Sequence, residues 1–283
     1  MKHELHIHST DSDGAYSKEE LLKIANEKGL DYIAFTDHNT VDNLNPEHLN
    51  KNYEEQYREK QRTIIIPGIE IDCFDDDKYH LLGYDIRLFS RMETILKEIQ
   101  IANHEICLEV IKKIKENDSI ELDVEDMLKR QRSPYLSKSS IINYLVHLGI
   151  SDDYRIASYL YVGKHSKNYI PRKALSLQFA TKMILESGGI PVIAHPYRRI
   201  TINPLFNLEE NIEHYKELGI VGIEAKSPSH SIEQEFYIKQ LCKENDMIYT
   251  GGSDYHSGNT SVIGSDDNDL IEGLLNYRER KGR

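Results

Sequence analysis

Short apolar runs with strand character alternate with helical segments through most of this 283-residue chain, and that alternation constrains the fold more than any other feature. The run HELHIH alternates polar and apolar residues, as a half-buried strand does. SKEELLKIANEKG then has helical periodicity, with Ser17 and Glu20 at capping-box spacing and Gly29 at the stop. Further strands are read in LDYIAFTDH, TIIIPGIEIDC, YHLLGYDI, IPVIAHP, IVGIEA and MIYTGGSD. Helices are read in LQFATKMILESGG, LEENIEHYKELG and SIEQEFYIKQLCKEND, and a last one near NDLIEGLLNYRER. Regular βα alternation implies a parallel sheet with right-handed crossovers. Seven strands in this pattern predict a closed or nearly closed (β/α)7 barrel. A barrel of about 250 residues with extra material fits the length.

The alternation stops between about Ser90 and Leu177. METILKEIQIANHEICLEVIKKIKEN has long helical periodicity, and VEDMLKRQ, LSKSSIINYLVHLG and DDYRIASYLYVG are shorter helical runs. The expected organisation is therefore a barrel from residues 1–90 and 178–283, with an all-helical insertion over 91–177. Residues 45–62, NPEHLNKNYEEQYREKQR, read as a charged helix with a solvated face.

Polar groups suited to metal ligation collect where the strands end. His6 and His8 alternate with Leu5 and Ile7, so the two imidazoles point to one side and can reach one ion. A partly exposed polar face on an edge strand would explain that pair equally well. The other strands change the balance. FTDHN places Asp37 and His38 just past the second strand, and PGIEID places Glu70 in the third. His80 belongs to the fourth, His195 ends the fifth, and Asp254 and His256 follow the seventh. Asp13 lies in the turn after the first. In (β/α) barrels functional groups gather at the C-terminal strand ends. The nine candidates are His6, His8, Asp13, His38, Glu70, His80, His195, Asp254 and His256. Nitrogen and oxygen donors without sulfur suit Zn, Mn or Fe, and so many donors imply two or three divalent ions. His104 and His147 fall within helical patterns, and His3, His48 and His214 are expected to face solvent.

Composition narrows the partners. The net charge of −12 argues against a long duplex nucleic-acid footprint. Cys73, Cys107 and Cys242 are widely separated, which excludes a thiolate finger or disulfide framework and fits a reducing cytoplasm. The N-terminal MKHELHIHST has no apolar signal core, and no apolar stretch is long enough to span a membrane.

The motifs HIHSTDSDG, FTDHN, GIE, IAHP and GGSDYH, in that order, resemble those of the PHP (polymerase and histidinol phosphatase) family. The resemblance covers roughly residues 1–90 and 178–283 and implies a distorted (β/α)7 barrel of the PHP type. The helical insertion, ESGGIPVIAHPYR and GIEAKSPSHS are similar to features of its phosphoesterases that act on nucleoside 3′,5′-bisphosphates and on 5′ ends of short oligonucleotides. The resemblance implies three ligand sets: His6, His8, Glu70 and Asp254; a bridging Glu70 with His80 and His195; and Asp13, His38 and His256. Asp37 matches a family aspartate and is expected to orient a histidine or a water. Many relatives carry Arg-Pro-His in the insertion where this chain has Ser133, Pro134 and Tyr135 after Arg132, which puts substrate preference in doubt.

The implied reaction is hydrolysis of a phosphate ester by a hydroxide bridging two ions, with further positive charge on the phosphoryl oxygens. Expected phosphate contacts are Arg198, Arg199, His230 and Arg172, with Lys164 and His165 also near the rejoining segment. Two other reactions remain open, hydrolysis of histidinol phosphate and amidohydrolase-type C–N hydrolysis. A metal-stabilised binding module is a further, non-catalytic alternative.

Overall fold

The computed structural model describes residues 1–41, 63–74, 78–131, 133–201, 207–257 and 263–282, with the backbone alone at Lys78 and 199–201. The charged segment 45–62, the acidic run 75–77, His48 and Arg132 lie outside the described residues. The chain divides into two compact units, one made of Met1–Glu93 with Leu175–Arg283 and the other of Thr94–Ala174.

The first unit is built on a seven-stranded sheet in sequential order. The strands are β1 (His3–Ile7), β2 (Tyr32–Phe35), β3 (Ile64–Phe74), β4 (Lys78–Tyr84), β5 (Ile190–Ile193), β6 (Gly222–Lys226) and β7 (Ile248–Gly251). The sheet curls towards closure. Just past β7, Tyr255 bridges Ile7 in parallel, and the His8 N–H donates to the Tyr255 carbonyl at 3.0 Å. Helices α1 (Lys18–Lys28), α6 (Leu177–Glu186), α7 (Ile212–Leu218), α8 (Ile232–Glu244) and α9 (Asp269–Arg280) accompany the strands. Helix α1 starts as its sequence dictates. Ser17 and Glu20 form a reciprocal capping box, and Gly29 closes the helix at φ 67°, a left-handed conformation that glycine adopts without penalty.

One sequence expectation is corrected. The sheet is not wholly parallel, because β4 runs antiparallel to both β3 and β5. Only residues 75–77 separate β3 from β4, too few for the crossover that a parallel pair requires. The reversal brings the beginning of β4, rather than its end, to the edge where the other strands finish. His80 is thereby paired directly with Asp72. A second correction concerns His3, which is buried rather than solvent-facing. Its backbone exchanges hydrogen bonds with Ser265 at 2.8 and 2.7 Å, so that residue 3 is covered from a second side.

Apolar residues of β1–β5 and β7 form the main core with Ile271 and Leu274 of α9. Ile7 instead joins Leu21 and Ala25 of α1, Ile33 and Phe35 in a second cluster. The second unit is helical among its described residues. Most of α2 (Ser90–Asp118) belongs to it, with α3 (Val124–Arg130), α4 (Lys138–His147) and α5 (Tyr154–Ala157), which continues into a π-helical turn at Ser158–Val162. Val110, Ile114, Ile141, Leu145 and Val162 form its own core.

Leu82 is fully buried in the main core. Leu82→Ala should lower unfolding free energy by about 2–5 kcal/mol in urea denaturation followed by circular dichroism, and a loss under about 1 kcal/mol would contradict this packing.

Candidate metal centre

Glu70 of β3 is fully buried and lies at the middle of the site. Its Oε2 is 3.3 Å from His6 Nε2, 3.2 Å from His8 Nε2 and 3.3 Å from His38 Nδ1. Its Oε1 is 2.7 Å from His80 Nδ1 and 3.0 Å from His195 Nε2. Five imidazoles, His6 of β1, His80 of β4 and three from the segments just past β1, β2 and β5, therefore converge on one carboxylate. Asp254 approaches from past β7, with Oδ1 3.5 Å from His6 Nε2 and 3.3 Å from His8 Nε2. Asp13 completes the opposite flank, 3.3 Å from His256 Nε2, 3.7 Å from His8 Nδ1 and 4.0 Å from His38 Nε2.

All nine sequence candidates thus fall in one region, where their donor atoms form overlapping groups. One group is His6, His8, Glu70 and Asp254, and a second is Glu70, His80 and His195. A third joins Asp13, His38 and His256, with His8 as an additional member. A fourth, His38, Asp72 and His80, brings in an acid that sequence reasoning missed. Asp72 Oδ1 is 2.9 Å from His80 Nε2, and Asp72 and Asn39 exchange hydrogen bonds of 3.1 and 3.0 Å. The signal was present in IEID, since Glu70 and Asp72 share one side of a strand.

Several buried polar atoms of this region make no hydrogen bond: His6 Nε2, both ring nitrogens of His8, His38 Nδ1, Glu70 Oε2 and Asp254 Oδ1. Unsatisfied buried groups are costly, and here they are concentrated where the donor sets overlap. Imidazole and carboxylate donors at these separations fit divalent ions of the Mn, Fe or Zn type.

The backbone around the site is also under constraint. His195, Asp254 and Asn39 have φ values of 24°, 47° and 50°, in the left-handed region that non-glycine residues seldom occupy. Such conformations persist where surrounding contacts enforce them, and functional sites are common locations. Gly252 is needed for close approach, because a Cβ there would lie 2.3 Å from His6 Cβ and 2.5 Å from His6 N.

Asp37, expected to orient a histidine or a water, makes three hydrogen bonds to Ser9 and Ser12. Its fully buried carboxylate accepts from Ser9 N at 2.7 Å, Ser9 Oγ at 2.8 Å and Ser12 Oγ at 2.7 Å. It therefore shapes the turn that carries Asp13. Burial raises its pKa against the opposing pull of His8 and the serine hydroxyls. Glu224 of β6 was also missed; its Oε1 is 2.9 Å from His6 Nδ1. The same triplet, GIE, ends in Glu70 and again in Glu224, which was the available signal.

The expected phosphate contacts belong to both units. Arg198 is half exposed and places Nη1 3.1 Å from Asp254 Oδ2, at the rim of the site. His230 donates from Nδ1 to the Ala225 carbonyl at 2.7 Å, and its Nε2 accepts from the Tyr197 N–H at 3.4 Å. Lys164, His165 and Arg172 belong to the second unit. The side chain of Arg199 lies outside the described residues.

Burial alone would lower the pKa of His6 and His8, but the surrounding carboxylates win. Glu224, Glu70 and Asp254 hold His6 well above the usual imidazole value, and Asp254 and Glu70 hold His8 up to about 10. Burial lowers His195, and lowers His38 to about 4 despite Glu70 and Asp13. The metal-free centre at pH 7 therefore keeps protons on His6 and His8, while His38 and His195 are neutral. Ligation needs the unprotonated nitrogen, so ion uptake releases protons and affinity rises with pH. Calorimetric titration with Mn²⁺ at pH 7 should show net proton release, read from buffers of different ionisation heat. Heats independent of the buffer would contradict it.

Residues 4–133 match the PHP domain model. Over 268 residues the chain is 27% identical to phosphoribosyl 1,2-cyclic phosphate 1,2-diphosphodiesterase of Eggerthella lenta, covering 90% of this chain and 94% of that protein. It is 26% identical over 259 residues to a 5′-3′ exoribonuclease of Haemophilus influenzae, covering 90% of each. It is 25% identical over 258 residues to the 3′,5′-nucleoside bisphosphate phosphatase of Chromobacterium violaceum, covering 90% of this chain and 87% of that one. A solved structure from Bifidobacterium adolescentis, provisionally described as a metal-dependent phosphoesterase, shares the fold with a TM-score of 0.79 at 22% identity, over 96% of this chain and 95% of the other. Residues 4–133 thus resemble a PHP domain, as the motifs imply, and the relatives include proteins named as a nucleoside bisphosphate phosphatase and as a 5′-3′ exoribonuclease.

Proposed function

We propose that this chain is a metal-dependent phosphoesterase that hydrolyses a small phosphorylated substrate of nucleotide type, such as a nucleoside 3′,5′-bisphosphate or the 5′ end of a short oligonucleotide. The observation that carries this reading is the convergence of His6, His8, Asp13, His38, Glu70, His80, His195, Asp254 and His256 in overlapping donor groups. The residues would hold two or three divalent ions in the three sets the motifs imply, with Glu70 shared between two. Such ions supply an activated water and positive charge for the phosphoryl oxygens.

The protein's own groups supply the rest. Arg198, at the rim beside Asp254, is placed to take a phosphate oxygen pair. His230, held by Ala225 against Tyr197, is the second candidate substrate contact. Arg172 and Arg199 remain candidates on sequence grounds. Asp37 and its two serines keep the Asp13 turn in shape while substrate enters. The named activities of the relatives, on a ribose cyclic phosphate, on RNA and on a nucleoside bisphosphate, share cleavage of a phosphate ester and support the substrate class. No helix among the described residues is long and apolar enough to cross a membrane. Three buried, widely separated cysteines support a reducing, cytoplasmic setting.

The test is product analysis with Mn²⁺ on adenosine 3′,5′-bisphosphate, AMP, phosphoribosyl 1,2-cyclic phosphate and histidinol phosphate in parallel. Cleavage of the bisphosphate supports the nucleotide reading. Turnover mainly of histidinol phosphate would transfer the assignment to that phosphatase reaction, and silence on all four would remove the substrate class. Changes outside the ligand sphere commonly cost 10–100-fold, so His8→Ala, which removes a candidate ligand, should lose at least about 100-fold while remaining folded. Retained activity in a folded His8→Ala protein would sink the ligand assignment.

A further inference from the structure

Glu224 is not among the nine candidate ligands, yet it contacts two of them. It is fully buried within β6. Its Oε1 lies 2.9 Å from His6 Nδ1, and its Oε2 accepts the backbone N–H of His195 at 2.8 Å. The direction of both bonds is fixed by chemistry. A backbone N–H can only donate, and an ionised carboxylate can only accept. His6 must therefore carry hydrogen on Nδ1. Its other nitrogen, Nε2, faces Glu70 Oε2 at 3.3 Å and Asp254 Oδ1 at 3.5 Å and makes no hydrogen bond.

The second bond reaches the other donor group. His195 sits at φ 24°, immediately after β5, and its ring Nε2 is 3.0 Å from Glu70 Oε1. An unusual backbone conformation of that kind needs contacts that enforce it. Glu224 supplies one at the N–H of the residue itself.

We propose that Glu224 is a positioning residue that holds His6 as an Nε2 donor and locks the backbone of His195, so that one buried carboxylate aligns two donor groups that share Glu70. The proposal rests on the metal-centre reading above and extends it to a residue outside the ligand sets.

Glu224→Gln discriminates this role from a merely structural one. Glutamine has nearly the same shape and can still fill the space. Its carbonyl oxygen must face the His195 N–H, because its NH₂ cannot accept. The NH₂ then faces His6 Nδ1, which can accept only if the ring hydrogen moves to Nε2. That move removes the lone pair facing Glu70 and Asp254. The substitution should leave the fold in place and disable His6 as a ligand.

The measurement is Mn²⁺ titration of metal-free protein with elemental analysis of the ions retained, beside the melting temperature of the same metal-free samples. Wild type and Glu224→Gln should melt alike without metal, and the variant should bind at least one ion about 10–100-fold more weakly or lose it. Glu224→Asp keeps the charge but is one methylene too short to serve both bonds, and should fall between the two. A folded Glu224→Gln protein that titrates like wild type overturns the proposal. Should Glu224→Gln fail to fold, wild-type affinity in Glu224→Asp overturns it equally. A wild-type protein that binds no ion would contradict the metal reading itself and the role of Glu224 with it, whereas wild-type binding with an unaltered variant would contradict only the latter.

Discussion

A carboxylate with no exposed surface, that of Glu70, is surrounded by five imidazoles, and the remainder of the site is arranged about it. A lone buried carboxylate would cost several kcal/mol, and such a group usually neutralises itself by taking a proton. Here burial does push the Glu70 pKa up, but His38, His80 and His6, when they carry a proton, outweigh it and hold the group well below the usual carboxylate range. Glu70 thus stays anionic and available as a bridge between donor groups. The curled sheet makes this possible, because β1, the loop after β2, β4 and the end of β5 all bring a ring nitrogen to within 3.3 Å of the same carboxylate.

The reversed fourth strand is the structural device that completes the ring. In the parallel strands the edge carrying the site is reached at the C-terminal end, as with His195 after β5 and Asp254 after β7. β4 is part of a hairpin with β3, so its early residues arrive at that edge instead. His80, third in the strand, faces Asp72 across the pair and reaches Glu70 diagonally at 2.7 Å. A parallel β4 would have carried His80 to the opposite edge. Around this frame the acids that are not candidate ligands form a supporting layer. Asp37 fixes the Asp13 turn, and Glu4 accepts from the N–H groups of His6, Ser253 and Gly264 at 3.0, 2.9 and 3.0 Å. Glu4 thereby joins β1 to the segment after β7, where regular strand pairing is sparse.

The residues that converge here were readable because strand periodicity and strand ends are local properties. HELHIH reveals its two-sided pattern within six residues, and IAHP and GGSDYH each carry a ligand type at the end of an apolar run. The direction of β4 was less visible, since alternating patterns look alike in either direction. The three-residue spacing between β3 and β4 contained that information, because no crossover fits into it. Asp72 and Glu224 were missed for another reason. Their roles depend on which nitrogen of His80 or His6 faces away from Glu70, and ring orientation is set by tertiary packing rather than by spacing. His3 was misplaced on the same account, as its burial comes from Ser265, more than two hundred and fifty positions away in the chain. Arg198 was placed near the site by its position after IAHPY, while its pairing with Asp254 needed the folded loop.

The central claim is that these side chains form a multinuclear metal centre rather than a buried network of hydrogen-bonded acids and histidines. Elemental analysis of the purified wild-type chain, loaded with Mn²⁺ and freed of excess ion by gel filtration, tests it most directly. Two or three ions per chain is the predicted result, because Glu70 is shared and the donor groups overlap without coinciding. One ion per chain would contradict the multinuclear assignment, and none would contradict the metal centre altogether.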